Sequence, residues 1–124
     1  MNYLVLNETG LLTARALQAA LGGVIHGYGK RLQAAADVRA FDDVGAALRE
    51  IFNTGEPLIA LCAAGIVIRH LAPVLAGKHD DAPVLALAED GSAVLPLLGG
   101  HRGGNDLARR IGEILDVVPA ITTA

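Results

Sequence analysis

The chain has 124 residues, 52% of them hydrophobic, and a formal net charge of −3, so it can bury a core and is expected to form one domain. With 3% aromatic residues, no Trp and a pI near 5.7, it lacks the basic footprint and stacking rings of a general nucleic-acid binder. The longest uncharged apolar run, Leu58 to Ile68, is too short to span a bilayer, and Met1 to Val5 has no basic region ahead of its apolar residues. Neither a membrane span nor a signal peptide is expected. The single cysteine, Cys62, excludes an internal disulfide and suits a reducing cytoplasm. The expected partner is a small molecule or another protein.

Along the chain, Tyr3–Leu6 reads as a first strand and Thr9–Leu21 as a helix with Leu12, Ala16, Leu17 and Ala20 facing inward. Val24–His26 is a short second strand, closed by Gly27 and Gly29. Lys30–Val38 fits a helix through its alanines, or a loop. Asp42 or Asp43 caps a helix over about Val44–Phe52, which Asn53-Thr54-Gly55 ends. Leu58–Cys62 is a central strand, and a helix follows from about Gly65 to Leu75. Pro73 predicts a kink or an early end there, because its ring collides with the carbonyl of Arg69. Val84–Ala88 and Ala93–Leu97 flank Glu89-Asp90-Gly91-Ser92, a hairpin signal. A last helix spans about Asn105–Leu115, and Val117–Ile121 predicts one more strand.

This alternation predicts an α/β fold, a three-layer α/β/α sandwich with a mostly parallel sheet and one antiparallel hairpin. The many Ala, Val, Leu and Ile residues suit a sheet covered on both faces. A strand pattern running directly into Ile121-Thr122-Thr123-Ala124 leads us to expect that residues 1–124 are one module of a longer polypeptide.

The stretch richest in chemistry is Gly99-Gly100-His101-Arg102-Gly103-Gly104-Asn105-Asp106. Glycine permits positive φ and lets a ligand approach the main chain. Asn105 or Asp106 can cap the following helix, whose free N–H groups and dipole favour an anion. His101 can act as a general acid or base near neutral pH, and Arg102 can hold a carboxylate in a bidentate pair. Ligands of open α/β sheets bind beyond the carboxyl ends of strands, so Asn7–Gly10, Cys62–Gly65 and the 99–106 loop are expected to meet at that edge. The Gly65 turn is either a second anion seat or simply a place where strand and helix pack closely. Arg69 and His70 lie one turn further on, and Lys78 and His79 read as solvated charge.

Other chemistries find little support. His26, His70, His79 and His101 lack metal-ligand spacing, so no metal is expected. Ser92 is the only serine and sits in the hairpin turn, with no G-x-S-x-G elbow. Cys62 ends a buried run and reads as an inert core thiol. There is no G-x-G-x-x-G after the first strand and no Walker lysine, so no nucleotide cofactor is expected. A generic anion- or nucleotide-binding domain stays open as a weaker reading.

In order, Gly65-Ile66-Val67-Ile68-Arg69, Ala72-Pro73, Lys78, Asp80-Asp81-Ala82-Pro83-Val84, Leu97 through Ala108 and Pro119-Ala120-Ile121-Thr122-Thr123-Ala124 form one series. It resembles the N-terminal domain of the cobalamin-biosynthesis protein G family. The resemblance covers about residues 57–124, whereas residues 1–56 share only the strand–helix order. It implies a role in the anaerobic-type corrin pathway, opening the δ-lactone of cobalt-precorrin-5A and releasing a two-carbon fragment as acetaldehyde. The implied substrate is a polycarboxylate tetrapyrrole. Its arms would be held by Gly65, Arg69, Gly99, Gly100, Arg102, Gly103, Gly104 and Asn105, with His101 as the catalytic residue. The N–H groups near Gly103 and Gly104 would meet the oxyanion. Family proteins carry a further C-terminal domain, and the module also occurs fused to a precorrin-3B C17-methyltransferase. The alternative implied is therefore a non-catalytic domain that presents substrate to a fused or partner enzyme.

Overall fold

The computed structural model describes residues 1–77 and 80–123. Its elements are β1 (Asn2–Val5), α1 (Glu8–Leu21), β2 (Val24–Tyr28), β3 (Val38–Phe41), α2 (Val44–Asn53) and β4 (Leu58–Leu61), then α3 (Ala64–Leu71), β5 (Val84–Leu87), β6 (Val94–Leu98) and α4 (Gly104–Leu115). The strands form one six-stranded sheet in the order β3-β2-β1-β4-β5-β6. Every neighbouring pair is parallel except β5 and β6.

The period-2 alternation of strand side chains divides the core into two halves. Tyr3, Val5, Ile25, Ile59, Leu61 and Leu85 face one side, where Leu11, Ala14 and Leu17 of α1 and Ala108 and Ile111 of α4 cover them. Leu4, Leu58, Ala60 and Val84 face the other side, under Leu48, Ile51 and Phe52 of α2 and Val67 and Leu71 of α3. Every residue of β1, β4 and β5 is buried, as expected of parallel strands sealed on both faces. This is the three-layer sandwich that the sequence pattern implies.

Local chemistry sets the element boundaries. The Asn7 side chain accepts from Gly10 N at 2.9 Å and caps α1. Asp43 rather than Asp42 caps α2, accepting from Ala46 N at 2.9 Å. α3 stops at Leu71, and a single 3-10 turn over Ala72–Val74 absorbs Pro73, the early end that this proline predicts. Between β5 and β6, Gly91 takes a φ of 80° and donates to the Ala88 carbonyl at 2.9 Å, closing the expected hairpin.

Three expectations are corrected. Leu12 is 70% exposed, and Ala16 and Ala20 are exposed too; of the residues assigned inward only Leu17 is buried, beside Gly10, Leu11 and Ala14. Alanines mark no face of a helix, and the packing of Leu11, Ala14 and Leu17 against the sheet decides which stripe is buried. β2 extends through Gly27 to Tyr28, and the segment after it leads to a strand, β3, that the sequence reading lacks. Residues 29–37 are turns and irregular chain, tied to α1 by an Arg15–Asp37 ion pair, so β2 and β3 are joined without a helix. Val117–Ile121 is not a strand. Asp116 turns the chain at a φ of 56°, Pro119 has no N–H to give, and only Ala120 N reaches the sheet, donating to Val94 O at 2.8 Å.

Candidate functional site

The chain leaves β1 through α1 toward β2, and leaves β4 through α3 toward β5. The winding therefore reverses between β1 and β4, and the crevice beyond their carboxyl ends is the usual ligand position in such sheets. A depression of about 500 Å³ opens there, bounded by Thr9, Cys62, Ala63, Glu89, Asp90 and Ser92. Helix α3 begins at this edge with no side chain capping it. Gly65 is exposed, and a Cβ added there would meet nothing within 4 Å, so close strand–helix packing is not what a glycine provides at this position. Cys62 is 5% exposed, and burial, with a smaller contribution from the Glu89 charge, pushes its thiol up to about 11. It stays protonated and unreactive at neutral pH.

The glycine loop is not at this edge. β6 runs antiparallel to β5, so its last residue, Leu98, pairs with Val84, the first residue of β5. Asn7–Gly10 and Cys62–Gly65 share the carboxyl edge, and residues 99–106 emerge at the amino edge against Ala82 and Pro83. The expected meeting of three segments fails because the hairpin reverses the strand that feeds the loop.

The loop is closed by its own main chain. Gly99 sits at a φ of 66°, and a Cβ there would stand 2.7 Å from Pro83 Cα. Its carbonyl accepts from Arg102 N at 2.9 Å and Gly104 N at 3.0 Å, enclosing a single 3-10 turn over Gly100–Arg102. Gly103, at a φ of 101°, is the N-cap of α4, which displaces Asn105 and Asp106 into the first turn. Asn105 lies over Gly100, whose added Cβ would be 2.9 Å from its Oδ1. Asp106 is exposed and accepts from Arg109 at 3.0 Å.

His101 and Arg102 are both exposed. Arg102 Nη1 donates to the Asp81 carbonyl at 3.1 Å, and His101 makes no side-chain hydrogen bond among the described residues. Arg69 is exposed in the last turn of α3, the helix that runs back from the carboxyl edge, so it approaches the glycine loop's edge while Gly65 stays at the other. Lys78 and His79 lie outside the described residues.

Asp81 is a residue to which the sequence reading assigned no role. It is 5% exposed, and its Oδ1 accepts from Ala76 N at 2.9 Å, closing the turn that precedes β5. The available signal was a carboxylate just before Ala82-Pro83 at a strand start, where a short acceptor side chain commonly organises main chain.

Among the described residues, no group of three or more His, Cys, Asp or Glu side chains gathers in a way that could hold a metal ion. No described helix is long and apolar enough to cross a membrane.

Relatives share this architecture and sequence. The fold matches a solved structure of a cobalamin biosynthesis protein G homologue from Sulfolobus solfataricus, with a TM-score of 0.72 over 98% of this chain and 36% of that one, at 21% identity. A cobalt-precorrin-5A hydrolase from Salmonella typhimurium is 43% identical over 77 residues, 61% of this chain and 22% of that protein. A protein of the same name from Priestia megaterium is 37% identical over 78 residues, 62% of this chain and 21% of that protein. The chain thus spans about a fifth of the length of these relatives. Residues 46–124, which carry the glycine loop, Asp81 and α3, match the family described as cobalamin synthesis G N-terminal, and the chain belongs to that family.

Proposed function

We propose that this chain acts in cobalamin biosynthesis as a module that contacts a cobalt-precorrin and contributes to opening the δ-lactone of cobalt-precorrin-5A. The observation that carries the reading is the 43% identity to a cobalt-precorrin-5A hydrolase, seen in a chain whose family match includes the whole glycine loop. The loop's chemistry supports it. Arg102 and Arg69 offer guanidinium groups to acetate and propionate arms, and the first turn of α4 offers main-chain N–H groups to an anion. In lactone opening, water adds to the acyl carbon and the ring C–O bond breaks, leaving a carboxylate and an alcohol. Acetaldehyde then leaves as the alcohol loses its O–H proton to a base and its C–C bond to the macrocycle breaks, the electron pair passing to the conjugated ring. His101 is the group we assign to take the proton from water, with the main-chain N–H groups of Gly103 and Asn105 opposite the developing oxyanion, since Gly104 N is already held by the Gly99 carbonyl at 3.0 Å. Gly65, at the far edge, would contact substrate only through a ring or arm that reaches around the sheet. A longer polypeptide supplying a downstream domain belongs to the same proposal.

A second reading is a substrate-presenting domain, alone or fused to a precorrin-3B C17-methyltransferase. It is favoured by His101 lacking a hydrogen-bonded group to orient its ring among the described residues. One experiment separates the two: titrate the chain with cobalt-precorrin-5A and assay acetaldehyde. Turnover that His101→Ala removes supports the hydrolytic role, saturable binding without turnover supports presentation, and no binding sinks both.

A further inference from the structure

The connection from β2 to β3 passes on the α1 side of the sheet, where Leu32 joins the core and Asp37 pairs with Arg15. The opposite face of β2 and β3 consequently has no helix of its own. A groove of about 370 Å³ lies there beside α2, with His26 and Arg39 on its sheet wall and Ala47, Glu50 and Ile51 on its helix wall. In register, His26 sits next to Arg39, so both side chains project from the same face.

The groove contains an unsatisfied polar group. Asn2 is 8% exposed; its Oδ1 lies 3.0 Å from His26 Nε2, and its Nδ2 has no hydrogen-bond partner. Turning the amide over does not remove the problem, because the oxygen then becomes the unpartnered atom. Burial and the Arg39 charge hold the His26 imidazole below its ordinary range, so at neutral pH it offers one N–H and one lone pair. The charges facing the groove are also unevenly used. Glu56 accepts from the Met1 ammonium at 3.0 Å, whereas Arg39 and Glu50 form no ion pair or side-chain hydrogen bond among the described residues. One unpaired cation, one unpaired anion and a buried amide thus share a groove with apolar side chains from α2.

We infer that this groove binds a small zwitterion of the amino-acid class. The carboxylate lies on Arg39 and is completed when the Asn2 side chain turns its buried Nδ2 toward it, the ammonium lies on Glu50, and an apolar side chain lies on Ala47 and Ile51. A plain anion would meet Arg39 but also the Glu50 charge, and a plain cation the reverse, so a ligand carrying both signs is selected. Asn2, His26 and Arg39 precede residue 46, where the family match begins, whereas Ala47, Glu50 and Ile51 lie within it; the groove shares no residue with the glycine loop.

The test is an NMR titration of the chain with L-leucine, following the Asn2 side-chain amide and the His26 ring, with acetate and methylammonium as separate probes. Saturable shifts with L-leucine are expected, about tenfold weaker in each of Arg39→Gln and Glu50→Gln. Both positions are exposed, and a thermal melt of each variant checks that the fold is kept. No saturable shift with L-leucine, acetate binding as tightly as L-leucine, or unchanged affinity in folded Arg39→Gln would each overturn the assignment.

Discussion

Arg102 reaches across to Asp81 and donates to its carbonyl oxygen at 3.1 Å, joining the glycine loop to the turn that introduces β5. The same guanidinium keeps further N–H groups free in solvent, so one residue both fixes the loop and faces outward. Arg102→Ala is expected to lower stability by about 1 kcal/mol, the usual net contribution of such a bond. A urea titration measures that loss. Under the proposed function it also weakens cobalt-precorrin binding by about tenfold. A variant with full stability and full affinity would contradict both roles.

The loop's glycines should differ sharply in tolerance. Gly99→Ala combines a φ of 66° with a Cβ 2.7 Å from the Pro83 main chain, and roughly 3 kcal/mol or more of destabilisation is expected. Gly103→Ala meets open space and bears only the strain of its φ of 101°, a loss of about 1–2 kcal/mol. Thermal melts that reverse this order would mean the loop is built differently.

Two leucines on α1 make a direct test of which stripe is buried. Leu17→Ala removes a side chain that is 0% exposed and should cost about 2–5 kcal/mol. Leu12→Ala removes one that is 70% exposed and should change stability by no more than about 0.5 kcal/mol. Denaturant midpoints of the two variants decide it.

His26 gives the fold a pH dependence with a defined sign. Burial first, and the Arg39 charge second, lower its affinity for a proton below the ordinary value of 6.5, partly offset by Glu56. The unfolded chain therefore binds more protons than the folded one as pH falls below 6.5, and this contribution to stability is lost as pH drops through the folded-state value. Urea midpoints measured from pH 7.5 downward should fall more steeply for the native chain than for His26→Gln. Parallel curves would place the acid sensitivity elsewhere.

Fold class was legible because the strong signals are local. Leu58–Leu61 is a continuous apolar run, Asp43 sits at a helix start, and Glu89-Asp90-Gly91-Ser92 separates two strand patterns. The weak points were also local. β3 is a four-residue edge strand with Arg39 and Ala40 exposed and only Val38 and Phe41 packed on the core, so it carries a weak core signature, and the alanines spread round α1 did not separate the Leu12 face from the Leu11 face. At the glycine loop, composition and the following helix were readable, but its location was not. Which end of the sheet it occupies depends on the direction of β6, a non-local pairing with β5. Asn2 beside His26 was invisible for the same reason: 24 residues separate them, and only the parallel pairing of β1 with β2 brings them together.

The reversed course of β6 sets the glycine loop and the depression beside Cys62 at opposite ends of this small domain. A molecule gripped by Arg102 leaves the depression beside Cys62 and Gly65 unobstructed, with the full length of the parallel strands in between. A neighbouring domain can seat at one end without competing for whatever occupies the other. Crosslinks or substitutions placed at the two ends should then act additively.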